Sequence, residues 1–169
     1  GIAGLEIADN VVPFIDGEEE KLERETRKIL GRLADDHVLE ADIAVSAQCT
    51  RVPVVDGHTE CVSVGLERRA TAAELIAVWN DFSSEPQTLG LPTAPAKPVR
   101  YLAEAAAPQP RLHRDAGAGM TASIGRLRPC PLLDYRFVVL SHNTIRGAAG
   151  GALLLAELAV VRGLLPAVD

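Results

Sequence analysis

Gln48-Cys49-Thr50-Arg51-Val52-Pro53-Val54-Val55-Asp56-Gly57-His58-Thr59-Glu60 joins an apolar run, a turn dipeptide and an alternating run without a break. Val52 to Val55 read as β, Asp56-Gly57 suits a positive φ, and His58 opens a strand to Glu67 in which Cys61, Ser63 and Gly65 alternate with Val62, Val64 and Leu66. The same stretch sets a cation and an imidazole seven residues apart. In one uninterrupted strand that odd separation puts Arg51 and His58 on opposite faces, so the Pro53 irregularity and the Asp56-Gly57 turn are what allow them to converge. Arginine offers a planar fork to a carboxylate, and histidine is the side chain best suited to proton transfer near neutral pH. A surface charge beside a satisfied structural histidine is the competing reading, and spacing alone leaves both open.

Outward from this stretch the chain alternates strands and helices. Val11 to Ile15 read as a short strand, and Asp42 to Cys49 as a longer one. Between them Asp16 is expected to cap a helix from about Gly17 to Leu33, with Glu18, Glu19 and Glu20 in its first turn and Leu22, Ile29, Leu30 and Leu33 as a partial apolar face. Thr71 caps a second helix through about Phe82. Residues 83–118 carry Pro86, Pro92, Pro95, Pro98, Pro108 and Pro110, which predicts a long connection with at most a short strand near Val99 to Leu102. Thr121 to Leu127 and Tyr135 to His142 return to β. A last apolar helix is expected over Ile145 to Leu165, with Asn143 as its cap. This order argues an α+β fold: one domain over residues 1–169, with a mixed, largely antiparallel sheet and helices on one face. The open sheet face and the Pro-rich arm are then natural surfaces for a second copy or another domain.

Composition narrows the function. With 47% hydrophobic residues the chain can bury a core, and a net charge of −6 argues against a general affinity for nucleic acid or an anionic membrane, while leaving small anionic metabolites open. No apolar run of membrane-spanning length occurs, and the N-terminus shows no secretory signal pattern. Three cysteines, Cys49, Cys61 and Cys130, without a paired spacing or nearby histidines indicate neither a disulfide framework nor a metal site, and fit a reducing cytoplasm. Cys49 and Cys61 read as small buried strand residues, and Cys130, between Pro129 and Pro131, as a loop residue without an activator.

Several other groups could carry chemistry. Glu18 and Lys21 share a face of the first helical turn, where an anion could dock; the alternative is an ordinary surface pair. Arg126 and Arg128 are expected on one face of a strand end. His37 and His113 read as solvated loop residues without partners, and His142 as the end of a strand.

The string Cys49-Thr-Arg-Val-Pro-Val-Val-Asp-Gly-His58-Thr-Glu60 closely resembles the Cys-x-Arg-Val-Pro-Val-x-x-Gly-His-Ser/Thr-Glu segment of aspartate-semialdehyde dehydrogenases. Asn10-Val-Val-Pro resembles that family too, and Pro108-Gln-Pro-Arg-Leu112, Gly125-Arg-Leu-Arg128 and His142-Asn-Thr-Ile-Arg-Gly-Ala-Ala149 resemble its archaeal and fungal branch in particular. The resemblance implies a C-terminal substrate and dimerisation domain, folded like that of glyceraldehyde-3-phosphate dehydrogenase. It implies Arg51 on the substrate carboxylate and His58 as acid/base catalyst. It further implies Glu18 on the substrate amino group, Lys21 on phosphate and Asn143 on the nicotinamide of NADP. The family reduces β-aspartyl phosphate to aspartate semialdehyde: a cysteine thiolate displaces phosphate, and hydride then converts the thioacyl enzyme to a thiohemiacetal that releases the aldehyde.

The chain departs from the family pattern in one respect. It shows neither a glycine-rich turn after an early strand nor an Asn-Cys-x-Thr nucleophile segment, so the expectation is a C-terminal half without the dinucleotide-binding domain, inactive alone and partnered by that domain and by a second copy. Two other readings stay open: a dimerisation module without turnover, and a related reductase of malonyl thioesters.

Overall fold

The computed structural model describes residues 7–165. The chain divides between Val54 and Val55 into two units, each with its own elements.

In the first unit helix α1 (Glu18–Ile29) carries acidic side chains in its first turn and Arg27 and Lys28 in its last, matching the helix dipole at both ends. Asp16 is not its cap: Gly17, at φ 66, takes that position, and no side chain bonds the free amides. The helix also stops short of Leu33. The chain turns there into an antiparallel hairpin of β1 (Arg32–Ala34) and β2 (His37–Leu39). A Cβ on Gly31 would collide with the Leu39 carbonyl oxygen, so the glycine lets the hairpin close against the helix end.

The strands expected over 11–15, 42–49 and 52–55 reduce to a single antiparallel bridge. Val12 donates to the Arg51 carbonyl at 3.1 Å and Arg51 to that of Val12 at 2.9 Å. Pro53 has no amide hydrogen to offer the next rung on one side, so the ladder cannot extend there. Residues 47 and 49 find side-chain acceptors instead: Ala47 donates to Glu23 Oε1 at 2.9 Å and Cys49 to Glu19 Oε1 at 2.7 Å. None of the described residues of this unit is buried.

The second unit holds a four-stranded sheet in the order β3 (His58–Val64), β6 (Tyr135–Ser141), β5 (Ala122–Pro129), β4 (Val99–Leu102). Only β4 and β5 run parallel, so the sheet is mixed and largely antiparallel, as expected. Helix α2 (Ala72–Asp81) starts with the expected Thr71 cap, reinforced by Glu74 in a capping box. Its Trp79 stacks on Tyr101 of β4 at 6.1 Å and tilts onto Phe137 of β6 at 5.1 Å, which fixes the helix on that sheet face. The Pro-rich connection is more ordered than expected. Besides β4 it forms two single helical turns, α3 (Glu85–Thr88) and α4 (Pro110–His113), each with proline at its start, where a missing amide hydrogen costs nothing. Ala107 and Pro108 lie against Gly125, where no Cβ could fit, so the arm folds back over the opposite sheet face.

The last helix is in two parts, a π-helical turn (Ile145–Ala149) and α5 (Gly150–Val161). Leu154 joins Leu91 and Met120 in a buried cluster edged by Ala94, Ile145 and Leu158. The helix is further tied by Glu157, which accepts from Thr93 N at 3.0 Å, and by Arg162, whose guanidinium grips the Glu85 carboxylate with two nitrogens.

Two of these contacts make stability depend on pH. The Arg162 guanidinium holds the Glu85 carboxyl below the usual range, and the Thr71 amide and hydroxyl do the same for Glu74, whose ordinary value is 4.5. Both carboxyls are lowered on folding, so their contribution is complete above 4.5 and is lost as pH falls through the lower folded values. The melting temperature is expected to hold from neutral pH down to that point and then to fall. In Glu85→Gln, melting followed by circular dichroism starts lower at neutral pH and drops less steeply in acid.

Candidate functional site

His58 is the first residue of β3 and pairs with Ser141, the last residue of β6. It therefore stands at one end of the sheet, beside the loop that follows β6. The turn before it contains Gly57 at φ 112, where a Cβ would come within 3.2 Å of Leu140 Cδ1. This is the positive-φ turn expected from Asp56-Gly57. It does not join two paired strands, because β3 pairs with β6 and not with the segment before it.

Both polar ends of the Asp56–Gly57 peptide are held by side chains distant in sequence. Gly57 donates its N–H to Asn143 Oδ1 at 2.8 Å, and the Asp56 carbonyl accepts from Arg114 Nη1 at 3.2 Å. Asn143 is thus not the helix cap expected; the first amide of the π-helical turn, that of Ile145, turns to His142 instead. Its neighbour His142 is buried, with Nδ1 accepting from Ile145 N–H at 3.4 Å and Nε2 lying 3.7 Å from Asp115 Oδ1. Because a backbone amide can only donate, this geometry assigns the ring proton to Nε2, toward the carboxylate. The imidazole of His58 is exposed and has no hydrogen-bond or ion-pair partner among the described residues.

In the first unit Glu18 and Lys21 form the i,i+3 pair, Nζ to Oε1 3.6 Å, with both side chains open to solvent. Arg51 is anchored through its backbone to Val12, and its guanidinium is exposed. Arg126 and Arg128 do not share a regular strand face, because a bulge between Gly125 and Arg128 places Arg126 at φ 57. Both guanidiniums are spent on backbone carbonyls: Arg126 on Ala105 at 2.8 Å and Arg128 on Arg126 at 2.6 Å.

Other expectations need correction. His37 lies in β2 and contacts Asp36, and His113 closes α4 by accepting from Gln109 N–H at 2.8 Å, so neither is a solvated residue without partners. Cys61 is exposed rather than buried, because β3 is an edge strand. Cys130 does have an activator. The amides of Leu132 and Leu133, with smaller help from the Ser63 hydroxyl and the Arg136 charge, hold its thiol below the usual range. It sits next to the Tyr135 end of β6, a strand's length of roughly 20 Å from the His58 end, so it takes no part in the constellation around His58.

Arg114 and Asp115 were not evident from the sequence as site residues. Their one local signal is a charged run, Arg111-Leu-His-Arg-Asp115, inside a Pro-rich connection, where positioned loops often carry function. Among the described residues no group of three His, Cys, Asp or Glu side chains is placed to hold a metal ion, and no helix is long and apolar enough to cross a membrane.

Comparison with known proteins gives this geometry a family. Residues 1–146 match the family model described as semialdehyde dehydrogenase, dimerisation domain. The chain is 45% identical over 172 residues to the aspartate-semialdehyde dehydrogenase of Saccharomyces cerevisiae, covering 98% of this chain and 47% of that protein. It is 46% identical to that of Archaeoglobus fulgidus, covering 95% and 46%. Among solved structures, aspartate semialdehyde dehydrogenase with NADP from Candida albicans overlays with a TM-score of 0.89 at 42% identity, over 98% of this chain and 48% of that one. Aspartate semialdehyde dehydrogenase II complexed with ASA from Vibrio cholerae overlays with a TM-score of 0.72 at 27% identity, over 94% and 43%. The chain spans about half the length of the curated relatives it matches. It belongs to the semialdehyde dehydrogenase family, as a dimerisation domain of that family.

Proposed function

We propose that this chain is the substrate-binding and dimerisation half of an aspartate-semialdehyde dehydrogenase, which reduces β-aspartyl phosphate to aspartate semialdehyde in the reducing cytoplasm. The overlay of 98% of this chain on 48% of the Candida albicans enzyme supports the reading. The exposed imidazole at a rigid sheet end supports it. A dinucleotide-binding half supplies the cysteine nucleophile. A second copy of the chain completes the assembly, against which the exposed edge-strand residues Thr59, Cys61 and Ser63 are available.

Each side chain has a task that its chemistry fits. Arg51 offers two parallel N–H donors to the substrate carboxylate, and Glu18 takes its ammonium group. Lys21, a compact charge on a flexible stem at a helix start, neutralises the departing phosphate. The bound nicotinamide supplies hydride. His58 gives a proton to the oxygen that becomes negative as the thioacyl carbon is reduced. It takes that proton back when the C–S bond breaks and the carbonyl re-forms, so the imidazole ends as it began. Asn143 has its carbonyl oxygen committed to Gly57, which leaves its NH2 group, a donor suited to the carboxamide oxygen of nicotinamide.

The test is to assemble the chain with a dinucleotide-binding half and follow NADPH consumption. Turnover of β-aspartyl phosphate by the assembly, and none by the chain alone, is expected. A folded assembly that reduces a malonyl thioester but not the acyl phosphate overturns the substrate. One that dimerises without reducing either leaves a dimerisation module.

A further inference from the structure

The imidazole of His58 has no partner of its own among the described residues, so its direction is set by its backbone. On its C-terminal side that backbone is fixed by pairing with Ser141 and the rest of β6. On its N-terminal side stands Gly57 at φ 112, a conformation that glycine adopts freely and leaves freely. A soft joint directly before an acid/base group misaims it, unless something holds the preceding peptide plane. Here something does. The Asp56 carbonyl and the Gly57 N–H are the two polar ends of one planar unit, and each is bonded by a different side chain, Arg114 Nη1 at 3.2 Å and Asn143 Oδ1 at 2.8 Å.

We propose that Arg114 is a positioning residue for His58, clamping the Asp56–Gly57 peptide against Asn143 and so fixing the angle at which the imidazole leaves the sheet. The inference rests on the acid/base reading of His58. Arg114 is well placed for the task. It follows α4 directly, its side chain is only 24% exposed, and its Cβ lies 3.7 Å from where a Cβ on Gly57 would be. The two arms of the clamp are also linked behind the turn. Asp115 sets one carboxylate oxygen 3.9 Å from Arg114 Nε and the other 3.7 Å from Nε2 of the buried His142, the residue before Asn143. At these lengths the two contacts orient groups without adding much energy.

A double-mutant cycle in the assembled enzyme separates aim from general support. Arg114→Ala is expected to lower kcat about tenfold, with the KM for β-aspartyl phosphate changed less than about twofold, because a small misplacement of a reacting group is felt in the chemical step. Arg114→Lys, which keeps a cationic donor of shorter reach, recovers part of the loss. In a His58→Ala background the Arg114→Ala substitution lowers kcat no further. The same tenfold loss in that background, or a Lys variant no better than Ala, overturns the clamp while leaving the role of His58 intact. Wild-type turnover in His58→Ala alone overturns the acid/base role of His58, and the clamp with it. If near-UV circular dichroism shows that Arg114→Ala is unfolded, Arg114→Lys takes its place in the cycle and the same comparison decides.

Discussion

Replacing His58 by alanine in the assembled enzyme is expected to lower kcat by about 10²- to 10⁴-fold, the range that one positioned acid/base group contributes. The expectation is specific because little else depends on this side chain. It is exposed and without a partner among the described residues, so its removal opens no cavity and strands no buried polar group. Its backbone continues to pair with Ser141, and the turn before it remains held by Arg114 and Asn143. The melting temperature of His58→Ala should therefore match that of the parent, and the KM for β-aspartyl phosphate should stay within a few-fold, since on the proposed reading the carboxylate, ammonium and phosphate of the substrate meet other side chains. Steady-state kinetics and a thermal scan on one preparation check all three quantities. A variant that keeps more than about a tenth of the parent kcat removes proton transfer from the role of this residue.

Where the sequence was read correctly, the signal was local. Thr71 with Glu74 three residues on is a capping box that needs no tertiary knowledge, and the helix begins where it predicts. The runs read as β over His58 to Glu67 and Tyr135 to His142 give two strands, His58–Val64 and Tyr135–Ser141, that pair along their whole length. The misread regions are those where something distant replaces the local partner. Residues 42–49 have strand composition, yet the amides of Ala47 and Cys49 are taken by the carboxylates of Glu23 and Glu19 from the preceding helix. Helix α1 has the periodicity to reach Leu33, yet Gly31 lets a hairpin close there.

The same division runs through the site. The Asp56-Gly57 turn and the histidine after it are adjacent in sequence and were legible. Their support was not: Arg114 lies 58 positions from Asp56, and Asn143 lies 86 from Gly57. Asn143 shows the limit most clearly. An asparagine before an apolar helix is an ordinary cap by every local rule, and only the return of the chain to the sheet end presents it with the Gly57 amide. Arg126 and Arg128 fail for a related reason, since a bulge is invisible in alternation and turns two strand neighbours into backbone braces.

The second large effect is expected at Leu140, where packing and catalysis meet. This residue is 1% exposed and sits in β6, the strand bonded on both sides, opposite Thr59 of β3 and Ser123 of β5. Leu140→Ala removes buried atoms and leaves a cavity in a sheet pinned at its neighbours, a change that costs about 2–5 kcal/mol against a total stability of about 5–15 kcal/mol for an ordinary domain. Leu132→Ala is the matched control: it deletes the same atoms at a residue 90% exposed in the β5–β6 turn and should shift stability by no more than about 0.5 kcal/mol. Urea unfolding of the two variants compares these costs directly, and a shift for Leu140→Ala no larger than that for Leu132→Ala would sink the packing argument. The cavity has a further consequence, because Leu140 Cδ1 is the atom nearest the space that a Cβ on Gly57 would fill. Its loss removes the floor beneath the Asp56–Gly57 peptide while Arg114 and Asn143 still hold that peptide from its two polar ends. Leu140→Ala assayed well below its unfolding midpoint should therefore retain more activity than Arg114→Ala, although it is the less stable protein. A reversal of that order would mean that the floor, and not the clamp, aims the imidazole.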